Sequence, residues 1–300
     1  MNPENRPIVR RQNPEVRSLC PMRSGFITFV GRPNVGKSTL LNAVCGQKVS
    51  IVSDKPQTTR KRVRGIVNLP DAQLVFVDTP GLHKPVTALG RRVNATALES
   101  AEDVDVVCLV IDATMPFGSG DQWVAERINV GNAVVVVNKV DAASKQAVLK
   151  QLVRAGHLEA ASYFPVSAKT GEGVPALLDH LAALMPEGPA YFDRDTVSDI
   201  PEEEWVAELV REQLLAIFGE ELPYSIATRI TEWEWPRVRC EIIVERDSQK
   251  GMVIGKHGAI LKEVGQRARA QMPKGAYLEL FVKVDKDWQR KPDRIERLGY

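Results

Sequence analysis

The fold is decided by one short stretch near the start of the chain, Gly31-Arg32-Pro33-Asn34-Val35-Gly36-Lys37-Ser38. It follows the apolar run 26–30 and precedes a helical pattern, which predicts a strand, a glycine-bounded loop and a helix N-terminus. Glycines let the loop backbone approach phosphate oxygens, and the helix N-terminus adds free N–H groups and the positive end of its dipole. Lys37 supplies a charge for the β- and γ-phosphates, and the Ser38 hydroxyl, followed by Thr39, can bind magnesium. The stretch therefore predicts a phosphate-binding loop.

The composition is that of a soluble protein with about two domains. The 300 residues are 44% hydrophobic and 26% charged. The net charge of +2 is close to neutral, so any affinity for nucleic acid must come from a local patch. Four cysteines are widely spaced without metal-type pairs, which suits a reducing, cytoplasmic location. No apolar stretch approaches the ~18 residues of a membrane span.

The chain divides by composition into five segments. Residues 1–24 are polar and arginine-rich, which predicts a flexible N-terminal extension. A mitochondrial transit peptide is the alternative, but Glu4, Glu15 and the scarcity of serine argue against it. We predict a first domain at 25–188, a linker at 189–201, a second domain at 202–284 and a C-terminal tail at 285–300.

Strand and helix patterns alternate in the first domain. The runs 106–111 and 134–137 are apolar throughout, which is typical of strands buried on both faces of a mostly parallel sheet. Ligands of such sheets bind at the carboxyl ends of the strands, where each motif of this domain lies. We predict strands at 25–30, 62–68, 73–78, 104–112, 133–138 and 162–166, and helices at 37–45, 91–102, 121–129, 142–156 and 174–185.

A second motif, Asp78-Thr79-Pro80-Gly81, follows the apolar strand that ends at Val77. An aspartate here can hold magnesium through its water shell, and the Gly81 N–H can sense a γ-phosphate. Between the two motifs lies Gln57-Thr58-Thr59-Arg60, in a polar segment at 49–61. A threonine hydroxyl there can complete the magnesium shell. We favour Thr59, with Thr58 as the alternative.

A third motif, Asn138-Lys139-Val140-Asp141, follows the valine run. The Asp141 carboxylate can accept from the two adjacent donors of guanine, whereas adenine would leave it unpaired. Asn138 is expected to tie this loop to the phosphate loop, and the Lys139 stem to lie over the base. The backbone N–H groups of Ser167-Ala168-Lys169, after another strand, are predicted to meet guanine O6.

The order of these motifs resembles the translation-factor-related GTP-binding domains, and residues 24–300 resemble the Era family of bacterial GTPases. The resemblance implies that the three motifs hold GTP, with Ser38, a threonine at 57–60 and Asp78 around magnesium. Leu82 is included in the predicted nucleotide site. It occupies the position at which Ras-like enzymes carry a water-orienting glutamine. Relatives with this substitution are thought to use potassium bound by an asparagine that matches Asn34, so intrinsic hydrolysis is expected to be slow. His83 is an alternative base but more simply a solvated residue.

The second half predicts the order helix, two strands, two helices, strand. Between the two helices lies Gly255-Lys256-His257-Gly258, a GxxG loop of the kind that clamps a single-stranded RNA backbone in KH domains. The window 246–275 also carries seven basic against two acidic residues: Arg246, Lys250, Lys256, Lys262, Arg267, Arg269 and Lys274 against Asp247 and Glu263. That surplus is typical of an RNA-binding surface. The predicted RNA-binding residues are Ile254, Gly255, Lys256, His257, Gly258, Lys262 and Arg267, with Val253, Ile254 and Ile260 as a platform for bases.

The resemblance also implies partners. They are the 3′ end of 16S ribosomal RNA and the small ribosomal subunit, in whose assembly and maturation the family acts. The tail at 285–300, with Trp288, Arg290, Lys291 and Arg294, either extends the RNA contact or forms a solvated helix. We predict a monomer. Relatives attach peripherally to the inner face of the cell membrane, although no amphipathic anchor or lipidation motif is evident here.

We therefore predict a P-loop GTPase domain with a mostly parallel sheet, followed by a smaller α+β KH domain of type II. GTP and magnesium would order the loops at 57–60 and 78–82 and change how the cleft at Gly255–Gly258 is presented to RNA. Two alternatives stay open. One is a constitutive RNA-binding scaffold with a structural nucleotide site, which stays open because Leu82 replaces a water-orienting glutamine. The other is an ATP-type phosphotransferase, against which Asp141 argues.

Overall fold

The computed structural model describes residues 22–82, 87–219 and 222–300. Of these, residues 22–82 and 92–199 form one unit, and residues 87–91, 200–219 and 222–300 form a second. Within these ranges, no helix is both long and apolar enough to cross a membrane. Most of the predicted extension, together with His83, lies outside the described residues.

The first unit is built on a seven-stranded sheet. Its strands are β1 (Met22–Val30), β2 (Val63–Asn68), β3 (Ala72–Asp78), β4 (Val106–Asp112), β5 (Val134–Asn138), β6 (Ser162–Pro165) and β7 (Glu187–Gly188). The order is β2-β3-β1-β4-β5-β6, with β7 beside β1. β2 and β7 pair antiparallel and the others parallel. This confirms the predicted mostly parallel sheet.

Helices alternate with these strands, as predicted. They are α1 (Lys37–Cys45), α2 (Ala88–Glu102), α3 (Ser119–Ala125), α4 (Lys145–Gly156) and α5 (Val174–Leu184). Every residue of β3 and β5 is buried, because these apolar strands lie in the interior of a covered sheet. Parallel pairing aligns Phe29 with Asp78, Asp112 with Asn138 and Val137 with Pro165. The carboxyl ends of five strands therefore meet at one edge, which brings the motifs together.

The sheet begins earlier than the predicted boundary at residue 25. β1 begins at Met22, so residues 22–24 belong to the sheet. The Arg23 backbone N–H donates to Asp71 O over 3.0 Å, and its guanidinium donates to Ala183 O and Met185 O. These contacts anchor the polar residues before the apolar run, which is why composition alone placed the boundary too late.

Most of the predicted linker is not a free connection. The Gln73 side chain accepts from the backbone N–H of Tyr191 and Phe192 and donates to Phe192 O. The Ile66 N–H donates to Val197 O over 2.8 Å. Residues 189–199 thus belong to the first unit, because edge strand β2 and its neighbour satisfy the backbone groups of this segment.

The second unit has the predicted order of elements and two additional short helices. It contains α6 (Glu202–Ile217), α7 (Leu222–Ser225), β8 (Ala227–Glu234), β9 (Arg237–Val244), α8 (Asp247–Ile254), α9 (Ala259–Arg269), β10 (Tyr277–Val284) and α10 (Pro292–Arg297). The sheet order is β10-β9-β8, with β8 and β9 antiparallel and β9 and β10 parallel. Apolar residues of α6, α8 and α9 pack against one face of this sheet.

The tail after β10 is part of this unit rather than a separate segment. Trp288 is 0% exposed, and its Nε1–H donates to Ser225 O over 3.0 Å. Ile295 and Leu298 are also buried, and the Tyr300 ring stacks on Trp288. Because the Trp288 ring is enclosed, the prediction that this residue extends an RNA contact is wrong. An RNA contact by Arg290, Lys291 and Arg294 stays a prediction.

We expect Trp288→Ala to lower the free energy of unfolding by about 3–5 kcal/mol, since it removes a buried aromatic ring and its hydrogen bond. The urea midpoint of the full chain, followed by circular dichroism, measures the effect. Tyr277→Ala is the matched control, because that ring is 55% exposed. Similar midpoints for the two variants would contradict a core role for the tail.

Candidate functional site

The loop between β1 and α1 has the backbone that a phosphate cradle needs. Gly31 and Gly36 have φ values of +155° and +95°. A Cβ at Gly31 would lie 2.4 Å from Val110 O, and one at Gly36 would lie 2.3 Å from Asn138 Nδ2. Both positions therefore require glycine. α1 begins directly afterwards at Lys37, so its N-terminal N–H groups complete an anion site.

Lys37 is held inside this loop. Its side chain is 6% exposed, and Nζ donates to Gly31 O over 3.1 Å and to Arg32 O over 3.0 Å. Burial lowers the pKa of Lys37 to about 8, whereas the Asp78 charge acts in the opposite direction. Two neutral carbonyl groups compensate only partly for the hydration that a buried ammonium group loses. A phosphate anion would therefore stabilise the Lys37 charge better than these carbonyl groups do.

Three oxygen-bearing side chains meet beside Lys37. The Ser38 hydroxyl donates to Asp78 Oδ2 over 2.8 Å and lies 2.9 Å from the Thr59 hydroxyl. Thr59 Oγ1 is 3.3 Å from the same carboxylate oxygen. Asp78 is 0% exposed, and desolvation raises its pKa, opposed by Lys37 and the nearby hydroxyls. Asp78 Oδ1 has no hydrogen-bond partner among the residues that the structure describes.

The structure separates the two candidate threonines. The Thr58 hydroxyl donates to Lys55 O over 2.6 Å, which closes a local turn. Thr59 is the one beside Ser38 and Asp78. The geometry therefore favours Thr59, the residue preferred from the sequence.

The loop after β3 contacts the phosphate loop through Gly81. A Cβ at Gly81 would lie 2.9 Å from Pro33 Cα, so only glycine allows this approach. The Thr79 hydroxyl donates to Phe29 O, which ties the loop to β1. Leu82 is 1% exposed and packs in the core, while its N–H donates to Gly31 O. The Leu82 side chain therefore does not line the cavity beside the phosphate loop, which corrects its predicted place in the nucleotide site.

Other residues of the phosphate loop divide between the cavity and the core. Pro33, Asn34, Gly36, Lys37, Ser38 and Thr39 line the cavity together with Thr59 and Gly81. Val35 is buried. The Arg32 guanidinium does not line the cavity. Its Nε donates to the buried carboxylate of Asp121 over 2.7 Å, which braces the loop against α3.

The Asn138 side chain ties three loops together, as predicted for its link to the phosphate loop. Its amide donates to Val35 O over 2.9 Å and accepts from the Ala168 N–H over 3.0 Å. The Ser167 hydroxyl donates to Asp141 Oδ1 over 2.7 Å, which orients the carboxylate predicted to read guanine. Val140 N donates to Val166 O. Two loops that are distant in sequence therefore meet at the edge that is predicted to bind the base.

The predicted contact of guanine O6 with residues 167–169 needs a correction. The Ser167 N–H donates to Glu172 O over 2.9 Å, so the prediction is wrong for Ser167. The Ala168 N–H already donates to Asn138 Oδ1, so it could reach guanine O6 only through a bifurcated hydrogen bond. Lys169 stays a prediction.

Sequence reasoning missed Asp112, Asn42 and Ser50. Asp112 ends β4, and its Oδ2 accepts from Lys139 Nζ over 2.6 Å. The same ammonium donates to Asn34 O over 2.6 Å, which links the base loop to the phosphate loop. The sequence signal that could have identified Asp112 is its position as an aspartate at the carboxyl end of a buried strand. Asn42 and Ser50 carried no motif.

The second candidate site is the loop between α8 and α9. Gly255, His257 and Gly258 have positive φ values of 72°, 52° and 78°. A Cβ at Gly255 would lie 2.7 Å from Ile260 Cγ1, whereas Gly258 meets nothing within 4 Å. Lys256 and His257 are exposed. This tight turn presents backbone and charge to solvent, as a phosphate-clamping loop requires.

The residues around this loop only partly match their predicted roles. Val253 is 0% exposed and belongs to the core, so its place in a base platform is wrong. Ile254 and Ile260 are half-buried. Lys262 and Arg267 are exposed on α9, and Arg267 pairs with Glu263, which reduces the local positive charge.

The first unit has a phosphate loop and the loops that are predicted to read guanine, and the second has a GxxG loop. Together they are typical of the class of RNA-binding GTPases. Residues 26–139 match the model of the 50S ribosome-binding GTPase family, and residues 221–289 match the KH domain. The GTPase Era of Mycobacterium tuberculosis is 48% identical over 94% of this chain and 100% of its own length. That of Mycobacterium avium is 47% identical with the same coverage. The chain belongs to the Era family of GTPases.

Two solved structures are similar over both units. One is Era in complex with MgGDPNP and nucleotides 1506–1542 of 16S ribosomal RNA, and the other is a variant of Aquifex aeolicus Era bound to GDP·AlF4⁻. Each has a TM-score of 0.88 and 38% identity, and covers 93% of this chain and 99% of its own. The likeness extends over the GTPase domain and the KH domain, which confirms the predicted fold class.

Proposed function

We propose that this chain binds GTP with Mg²⁺, hydrolyses it to GDP and phosphate, and binds 16S ribosomal RNA near its 3′ end during small-subunit assembly. The solved Era complex with MgGDPNP and nucleotides 1506–1542 supports this. Within the chain, the meeting of Ser38, Thr59 and Asp78 carries the proposal. The predicted monomeric state, cytoplasmic location and peripheral membrane contact stay predictions.

These three residues fit a magnesium ion. Hydroxyl and carboxylate oxygens are the hard donors that Mg²⁺ prefers, and Asp78 Oδ1 is buried without a hydrogen-bond partner among the described residues. Ser38 and Thr59 would hold the ion through their hydroxyls, and Asp78 through a bound water. When bound, Mg²⁺ neutralises charge on the phosphates. A nearby cation would also favour the ionised form of this desolvated carboxylate.

The protein groups have distinct roles toward GTP. Lys37 and the N–H groups of the phosphate loop bind the β- and γ-phosphates, and Asp141 selects guanine. The Gly81 N–H detects the γ-phosphate. Because the Leu82 side chain is buried in the core, it cannot orient the attacking water, and intrinsic hydrolysis is expected to be slow.

The KH loop would bind the RNA backbone. Its glycines allow phosphate to approach, and Lys256 adds charge. We further propose that GTP changes the affinity of this loop for RNA by ordering the segments at 57–60 and 78–82. Equal RNA affinity with GTP and with GDP in a filter-binding titration would contradict this coupling.

Steady-state hydrolysis tests the whole proposal. We expect turnover of GTP, but not of ATP, and stimulation by an RNA oligonucleotide that matches the 3′ end of 16S ribosomal RNA. A scrambled oligonucleotide of the same length is the control. RNA binding without turnover would favour the constitutive scaffold, whereas equal use of ATP would favour the phosphotransferase.

We also propose that Asn34 binds a potassium ion that supplies positive charge during hydrolysis. Its side-chain nitrogen donates to Asp54 O over 2.6 Å, so the side-chain oxygen is the atom able to bind a cation.

We expect Asn34→Ala to abolish the rate advantage of K⁺ over Na⁺ while the affinity for GDP changes by less than about threefold, because the potassium contact acts on hydrolysis and the other bond that is lost, to Asp54 O, is exposed. Hydrolysis rates in the two salts, with fluorescent GDP titrations alongside, measure this. Asn129→Ala, at an exposed asparagine, is the control. An unchanged K⁺-to-Na⁺ ratio in Asn34→Ala would exclude this role.

A further inference from the structure

Ser50 makes a contact that none of the nucleotide motifs explains. Its side chain is 3% exposed, and its hydroxyl donates to Asp78 Oδ2 over 3.0 Å. Ser38 and Thr59 contact the same oxygen. Three hydroxyl oxygens therefore lie within 3.3 Å of Asp78 Oδ2, whereas Oδ1 has no partner among the described residues.

Asn42 on α1 fixes the backbone of Ser50. Its side-chain oxygen accepts from the N–H groups of Val49 and Ser50, each over 2.9 Å. Its side-chain nitrogen donates to Ser50 O over 2.8 Å. Asn42 follows Ser38 by one helical turn, so a single helix carries both a proposed magnesium ligand and the residue that holds Ser50.

The three hydroxyls differ in what they can do once a nucleotide is bound. Under the proposed function, Ser38 and Thr59 turn their oxygen atoms to the magnesium ion, and Thr59 lies in the segment that GTP orders. Ser50 keeps its hydrogen bond because Asn42 holds its backbone independently of the nucleotide. That bond occupies Oδ2 and leaves Oδ1 for a metal-bound water.

We propose that Ser50 is a positioning residue for the magnesium-holding carboxylate of Asp78, and that Asn42 holds Ser50 in place. This inference rests on the proposed function. It predicts that the pair sets the affinity for Mg²⁺ and not the affinity for the nucleotide itself.

The test is the binding of a fluorescent GDP analogue to the full chain over a series of free Mg²⁺ concentrations. We expect Ser50→Ala to raise the half-saturating Mg²⁺ concentration about tenfold, because a hydrogen bond to a charged group is lost. Affinity in EDTA should stay within about twofold of the wild type. Ser50→Thr, which keeps a hydroxyl, should restore most of the Mg²⁺ dependence.

A double-mutant cycle tests the link to Asn42. Asn42→Ala should also raise the half-saturating Mg²⁺ concentration, and adding Ser50→Ala should have little further effect, because both changes remove the same contact. Ser100→Ala is the matched control. That serine is equally buried, and its hydroxyl donates to Thr96 O within α2. Thermal unfolding shows whether each variant is folded.

Several results would overturn the inference. Ser50→Ala with the Mg²⁺ dependence of Ser100→Ala would exclude the positioning role. An equal loss of GDP affinity with and without Mg²⁺ would show a merely structural role, and additive effects in the cycle would separate Asn42 from Ser50. A wild-type protein that binds GDP without any Mg²⁺ dependence would contradict the proposed function itself, and the inference with it.

Discussion

Asp141→Asn is expected to weaken GTP binding about 100-fold or more and to create binding of xanthosine triphosphate. The wild-type carboxylate can accept two charge-assisted hydrogen bonds from guanine, each contributing about 1.5–3 kcal/mol. Ser167 donates to Oδ1 over 2.7 Å and would keep the asparagine oxygen in that place. The amide nitrogen would then face position 2 of the base, where xanthine has an acceptor and guanine a donor.

Competition titrations with GDP, XDP and ADP against a fluorescent nucleotide measure this change of preference. Asp179→Asn makes the same chemical change on an exposed face of α5 and should leave all three affinities unaltered. If Asp141→Asn kept its preference for GDP over XDP, the base would be read by other groups, and the assignment of this loop would be wrong.

The pair Lys256→Asp and His257→Asp is expected to reduce RNA affinity about 10- to 100-fold. Both side chains are exposed, so no core contact is lost. His257 has a φ of 52°, which aspartate tolerates better than most residues. The new carboxylates would repel the phosphates that the loop is proposed to clamp, and the salt dependence of binding should become shallower.

Filter binding of the 16S 3′-end oligonucleotide at several salt concentrations measures this loss, and GDP affinity should stay unchanged. Lys150→Asp with His157→Asp changes the net charge equally on exposed positions of α4 and its end. A general electrostatic effect would weaken RNA binding in both double variants to the same degree. Only a selective loss at the loop supports the KH assignment.

Much of the fold could be predicted because each element carries a local signal. The runs of β4 and β5 are apolar throughout, and the structure buries nearly all of these residues. The sequence of β10 alternates as in a strand with one covered face, and Leu278 and Leu280 turn to the core. The limits of the extension and linker were missed because Arg23 and residues 189–199 are held by hydrogen bonds to distant backbone and side chains, which leave no local pattern.

The site was predictable to the same extent. Motifs located the phosphate loop, the loop that is predicted to read guanine and the GxxG loop, since each predicted function needs particular residue types at short spacing. They did not show that Leu82 turns into the core or that the Ser167 N–H is already used. Those outcomes depend on which neighbour each group meets in the folded chain.

The sequence by itself determined the class of this protein, because backbone freedom at Gly31, Gly36 and Gly255 and the chemistry of Lys37 and Asp141 are properties of the residues. The tertiary structure alone placed Thr59 rather than Thr58 beside Ser38 and Asp78, enclosed Trp288 and brought Ser50 to Asp78. These arrangements join residues far apart in the chain, and contacts of that kind form only when the strands and helices pack.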